Sequence, residues 1–241
     1  MATYSGTVVG LHGFTQSSES WGPLGELLAA AYPWQPLDLP GHGHGGPACS
    51  VPEAAQAIDR QLNGARCLLG YSLGARVALR LALDHPHHLD RLVLISGTPG
   101  IEDAVERASR RESDEALAEL IETNGLDAFL DRWLANPMFE GLKSLPYARD
   151  GRDANDAASL AASLRLAGTG SMVPLWSRLE DLGPEVLIVV GERDQKFKEI
   201  GLRMTELVPD ARIVVVGGAG HAVHLEAPEA TAEAVLAFLS N

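Results

Sequence analysis

The chain has 241 residues, 46% of them hydrophobic, and a formal net charge of -13, values that fit one enzyme-sized globular unit and leave hardly any room for two. A field of that sign repels phosphates, which argues against nucleic acid or an anionic membrane as partner but does not exclude a small anionic substrate. No window approaches the roughly 20 apolar residues of a spanning helix, and the start lacks a basic segment followed by an apolar one, so no membrane insertion and a cytoplasmic location are expected. Cys49 and Cys67 lack a metal or redox spacing and read as reduced structural thiols.

In chain order, short runs rich in Val, Ile and Leu stand at 7–11, 35–39, 65–69, 91–96, 186–190 and 212–216, separated by helix-prone stretches. Such runs predict parallel strands buried on both faces, hence a doubly wound, mostly parallel α/β sheet. The first run leads into Leu11-His12-Gly13-Phe14, a turn able to aim the N–H of Phe14 at a developing oxyanion. The second ends in Asp38-Leu39-Pro40-Gly41-His42-Gly43, a turn suited to the rim of a site. The third, Cys67-Leu68-Leu69, enters Gly70-Tyr71-Ser72-Leu73-Gly74 and then the helix-prone 75–82. Gly-x-Ser-x-Gly between a strand and a helix is the nucleophile elbow of the α/β-hydrolase fold. Its glycines permit the strained turn that holds Ser72 at the positive end of a helix, where the N–H of Leu73 joins that of Phe14 in an oxyanion hole.

After the fourth run the alternation stops. Helical patterns at 102–122, 126–134 and 154–166, punctuated by Asn124-Gly125 and Asn136-Pro137, predict a cap over 99–176 inserted between core segments 1–98 and 177–241. Strands resume, and each of the last two ends in a polar loop with one candidate partner for the serine: Asp194 in Gly191-Glu192-Arg193-Asp194 and His221 in Gly217-Gly218-Ala219-Gly220-His221. Ser72, Asp194 and His221 stand in the chain order of this fold's triad. His224, one turn after His221, is a decoy or supporting residue. His85, His87 and His88 read as a solvated loop, no carboxylate or cysteine cluster being placed near them by the sequence, so no metal is expected.

Several segments together resemble a narrower family, the 2-succinyl-6-hydroxy-2,4-cyclohexadiene-1-carboxylate synthases of menaquinone biosynthesis. They are Leu11-His12-Gly13-Phe14-Thr15 with Trp21, Asp38 to Gly43, Gly70 to Arg76, Gly191-Glu192-Arg193-Asp194-Gln195-Lys196-Phe197 and Ala219 to Glu226. In the cap the resemblance rests on Thr98-Pro99-Gly100-Ile101-Glu102, Glu106 to Asp114, Phe129 to Trp133, and Leu160-Ala161-Ala162-Ser163-Leu164-Arg165 with Gly168-Thr169-Gly170. It implies a lyase that eliminates pyruvate from an enolpyruvyl cyclohexene tricarboxylate, with no cofactor or metal. It also implies that Arg76, Arg110 and Arg152 bind the substrate and that Tyr71 and Trp133 face it.

The residues support parts of this independently. Arg76 lies one turn after Ser72 on the elbow helix, and Arg110 lies seven residues before Leu117 on one face with it. Arg107, Arg111, Arg149 and Arg165 are the substitutes if the helical register differs. The chain departs from the family's usual pattern at Ala75 and Ala222, and fewer sheet strands are expected than in larger relatives. A serine esterase or carbon–carbon bond hydrolase would use the same triad, and a non-enzymatic ligand-binding protein would need none of it. The arginine set separates the lyase from enzymes of neutral esters.

Overall fold

The structure, a computed structural model, describes residues 4–240. Six strands, β1 (Val8–Leu11), β2 (Trp34–Leu37), β3 (Cys67–Tyr71), β4 (Arg91–Ile95), β5 (Glu185–Gly191) and β6 (Ala211–Val216), form one sheet in the order β2-β1-β3-β4-β5-β6. Every pairing in it is parallel. Each predicted run therefore becomes a strand. Successive side chains of a strand point to opposite faces. Accordingly, Leu68, Leu92 and Ile188 pack toward α2 (Val51–Asp59), α3 (Leu73–Asp84) and α6 (Gln195–Leu207), and their neighbours Leu69, Val93 and Leu187 toward α1 (Gly22–Ala31) and α8 (Pro228–Ser240). Burial on both faces is why these runs are continuously apolar.

Between β4 and β5 the described chain is helical. The predicted helices at 102–122 and 126–134 form one element, α4 (Ala104–Leu134), broken at Gly125, whose φ of 79° lies in the left-handed region. Asp103 caps α4 by accepting from the N–H groups of Val105 and Glu106 at 3.0 and 2.8 Å. A 3-10 turn at Pro137–Leu142, the helix α5 (Ala157–Ala167) and a second 3-10 turn at Trp176–Asp181 complete the segment. Ile121, Phe129 and Leu130 of α4 bury themselves against Leu160 and Leu164 of α5 in a small core of their own. Residues of this layer and of the strand ends together line one cavity. No helix among the described residues is long and apolar enough to cross a membrane.

Candidate active site

Ser72 sits between β3 and α3 with φ 51° and ψ -103°, a conformation that non-glycine residues rarely adopt. The surroundings impose it. Gly74 donates its N–H to the carbonyl of His12 at 3.0 Å, and Ser72 donates its own to Ile95 at 2.9 Å, so the turn is pinned to β1 and β4. A Cβ on Gly74 would run into the carbonyl oxygens of Leu11 and His12, and one on Gly70 into the backbone of Gly74. Both glycines are thus required by contact, and the serine stands at the mouth of α3.

His221 Nε2 lies 3.3 Å from Ser72 Oγ, and its Nδ1 lies 2.7 Å from Asp194 Oδ2. An ionised carboxylate only accepts, so the Nδ1 carries the proton and the Nε2 lone pair faces the hydroxyl. Asp194 is itself the cap of α6, accepting from Phe197 N–H at 3.3 Å with its other oxygen. The carbonyl of His221 accepts from the buried hydroxyl of Ser96 at 2.8 Å, and Phe197 packs its ring 4.5 Å from the imidazole. Three strand ends, β3, β5 and β6, so converge on one proton path.

The two candidate oxyanion donors sit beside it. Leu73 is the first residue of α3, and the first N–H groups of a helix have no acceptor within it. Phe14 occupies the turn closed by the bond from Gln16 N–H to the Gly13 carbonyl at 3.1 Å. That turn is braced by His12, which accepts from Leu39 N–H on Nε2 at 3.0 Å and gives Nδ1–H to the Gly13 carbonyl at 2.8 Å. Burial pushes the His12 pKa down to about 4, which keeps the ring neutral in this bridge between β1 and β2. His42, stacked edge-on against Phe14, is pushed down to about 3 by burial and by His12.

A cavity of about 660 Å³ opens over Ser72. Phe14, Tyr71, Leu73, Arg76, Arg110, Trp133, Arg152 and His221 all line it, which brings the sequence candidates, with Asp194 behind His221, to one place. The four substitute arginines do not line it. Arg107 bonds to the carbonyls of Ile101 and Glu102, Arg111 to Gly170, Arg149 to three aspartates, and Arg165 to Glu115 and Glu122.

Of the arginines that line the cavity, the three sequence candidates are held with little opposite charge. Arg76 is 7% exposed and donates to the Ala167 carbonyl at 2.5 Å. Burial and the nearby charge of Arg110 push its pKa down to about 10, so it remains a cation at neutral pH. Arg110 pairs with Asp114 at 2.8 Å, a carboxylate that is 1% exposed and also lies near Arg76. Arg152, 2% exposed, donates to the Ala148 carbonyl and to the hydroxyl of Thr15, and burial likewise pushes it to about 10. Among the described residues Asp114 is the only carboxylate that pairs with any of the three. Arg76 and Arg152 thus stand in the cavity wall as buried cations without a carboxylate partner, while Glu102, Asp103, Glu106 and Glu199 also line it.

Tyr71 lies over the ring of His224 at 4.0 Å, and burial raises its pKa strongly. Trp133 stacks among Phe14, Phe129 and Phe139 at 5.3 to 5.8 Å. His224 proves to be a support: buried, neutral and bonded to Gln16 at 3.1 Å. Sequence reasoning gave no role to Asp114, although its position four residues after Arg110 on a helix was a signal. Nor did it place Lys196 and Arg203, which line the cavity; Arg203 lies 3.8 Å over Trp176 and pairs with Glu102. Asp59, far in sequence from the loop histidines, accepts from His88 at 2.8 Å and lies with His85 and His88 in one cluster.

A serine on a strand-to-helix elbow, relayed to histidine and aspartate above a parallel sheet, defines the class of the α/β hydrolases, and the model described as the alpha/beta hydrolase family matches residues 8–234. The chain is 37% identical to the putative 2-succinyl-6-hydroxy-2,4-cyclohexadiene-1-carboxylate synthase of Bacillus subtilis, over 98% of this chain and 91% of that one. It is 33% identical to the synthase of that name from Enterobacter sp., over 96% and 91%. The solved structure of MenH from S. aureus superposes with a TM-score of 0.91 at 30% identity, covering 99% of this chain and 94% of that one. The chain belongs to the 2-succinyl-6-hydroxy-2,4-cyclohexadiene-1-carboxylate synthase family.

Proposed function

We propose that the protein is a lyase of menaquinone biosynthesis that eliminates pyruvate from 2-succinyl-5-enolpyruvyl-6-hydroxy-3-cyclohexene-1-carboxylate. The observation that carries this reading is one cavity with the Ser72–His221–Asp194 relay on its floor and Arg76, Arg110 and Arg152 around it. Arg76, Arg110 and Arg152 supply cations for a tricarboxylate, and a neutral ester would leave Arg76 and Arg152 without an anionic partner.

In this reading the Ser72 oxygen removes the ring proton next to the succinyl ketone while His221 Nε2 takes the serine's own proton. Asp194 orients the imidazole and stabilises its charged form. The electrons of the broken C–H bond pass into the ketone, and the N–H groups of Phe14 and Leu73 hold the enolate oxygen. Collapse of the enolate restores the ketone, shifts the ring double bond and breaks the ring C–O bond. The leaving group departs as the enolate of pyruvate and becomes pyruvate on taking up a proton, which His221 supplies. No covalent intermediate is required. The arginines fix the ring so that the acidic C–H faces Ser72, which is the positioning part of the rate enhancement. Residues 99–176 act as the cap that carries Arg110, Trp133 and Arg152 to the substrate, above the core 1–98 and 177–241.

The deciding experiment follows pyruvate release and diene absorbance from the enolpyruvyl substrate, generated in place by the preceding pathway enzyme. Rapid release, lost in Ser72→Ala, is the expected result. Release no faster than the spontaneous elimination, together with brisk cleavage of nitrophenyl esters, would make the protein a serine hydrolase.

A further inference from the structure

Hydroxyls on this protein's helices commonly satisfy themselves. Ser113, Thr205, Thr231 and Ser240 each fold back onto the carbonyl four residues earlier, at 2.8 to 3.0 Å. Ser163 on α5 does not. It is 2% exposed, and its Oγ has no hydrogen-bond partner. Of the buried polar side-chain atoms left without a partner among the described residues, only those of Ser163 and Trp133 belong to residues lining the main cavity. Trp133 is already part of the substrate site; Ser163 has no assigned role.

Burying a hydroxyl without a partner costs stability, so a solvent-shielded one that faces a cavity is explained by a partner that arrives with the ligand. The surroundings say which part of the ligand. Ser163 stands four residues before Ala167, on the same face of α5 and about 6 Å lower along its axis. The Ala167 carbonyl is the group that anchors the guanidinium of Arg76, and both Ser163 and Ala167 line the cavity. A carboxylate held by Arg76 has a second oxygen, and Ser163 is the neutral donor on that side.

We propose that Ser163 is a substrate-binding residue whose hydroxyl donates to the carboxylate held by Arg76. Only the identity of the substrate rests on the lyase reading; the contact itself is to a carboxylate of a polyanion. The bond is present throughout the reaction, since the carboxylate does not change, so it contributes uniform binding. It makes Ser163 a determinant of affinity and leaves the chemical step to Ser72.

Two measurements on wild type and Ser163→Ala test this. The first is pyruvate release: KM should rise about tenfold with kcat within about twofold, as for a lost hydrogen bond to a charged group. The second is calorimetry with tricarballylate, a plain tricarboxylate, which should bind about tenfold more weakly to the variant. The Tm of the ligand-free variant should equal or exceed that of wild type, because an unsatisfied hydroxyl has been removed. The proposal is overturned if Ser163→Ala lowers Tm and leaves KM and tricarballylate affinity unchanged. That outcome would mean that the hydroxyl serves an internal partner on the side of Gly41, against which Ser163 packs. If wild type releases no pyruvate but the tricarballylate difference is found, the lyase reading fails and the carboxylate contact stands.

Discussion

The carboxyl edge of the sheet, where the strands end, and the helical layer above it hold their residues by different means. At the edge, Ser72, His221 and Asp194 are placed by backbone: a positive φ, glycines packed against carbonyls, and loops tied by Ser72 N–H to Ile95 and Ser96 Oγ to His221. In the layer above, Arg110 and Arg152 are placed by side-chain bonds to Asp114, Ala148 and Thr15. Arg76 belongs to the elbow helix but is anchored upward, to Ala167 of α5. The relay is fixed by backbone, with Ser72 at a strained φ, whereas Arg76 and Arg152 are buried cations without a carboxylate partner and Arg110 is a partly exposed one paired with Asp114. Both arrangements cost stability that a simpler side chain would not.

Substitutions should break the two regions differently. The largest effect belongs to the edge: Ser72→Ala should cut pyruvate release by about 10³-fold or more, the scale of a lost base, with KM nearly unchanged. Next, Arg152→Met should raise KM by about 10- to 100-fold, the loss of one or two charged hydrogen bonds, while Tm holds or rises because a buried cation with no carboxylate partner is gone. A fall in Tm would show that Arg152 stabilises the fold. Asp114→Asn should do the reverse. It leaves Arg76 and Arg110 facing each other, and urea unfolding should show a loss of about 1–2 kcal/mol, moderated because Arg110 is partly exposed.

Acidification should act on the brace behind Phe14. His12 and His42 have folded pKa values of about 4 and about 3, below the roughly 6.5 of an unfolded histidine. Below pH 6.5 the unfolded chain binds protons that the folded one refuses, so stability falls as pH drops. The slope is about 1.4 kcal/mol per unit for each histidine until its folded pKa is reached. Thermal unfolding between pH 7 and 4 should be less steep in His42→Phe; an unchanged slope would remove His42 from this account. The smallest expected effect is Ser72→Gly, which should stabilise the protein by about 1 kcal/mol by relieving the elbow's strain.

Much of the edge was legible in the sequence because its determinants are local. Gly70, Ser72 and Gly74 encode a turn within five residues, and Val-, Ile- and Leu-rich runs encode strands buried on both faces wherever they sit. The Asn124-Gly125 break in α4 was legible for the same reason. The charge pattern of the cavity was not. Seven arginines were candidates by helical register or resemblance, and only contact with the cavity separates Arg76, Arg110 and Arg152 from Arg107, Arg111, Arg149 and Arg165. The Gln16–His224 bond joins positions 208 apart, and nothing in either segment announces it.

The sequence by itself determined the parallel sheet, the elbow and the order of serine, aspartate and histidine, since each follows from short-range periodicity, glycine placement and chain order. Only the tertiary structure decided which arginines line the cavity over Ser72, that Asp114 alone among the described carboxylates pairs with any of Arg76, Arg110 and Arg152, and that Ser163 keeps a free hydroxyl. Charge compensation and desolvation depend on which distant groups come within a few ångströms, and that is settled by packing between elements, not by the pattern within any one of them.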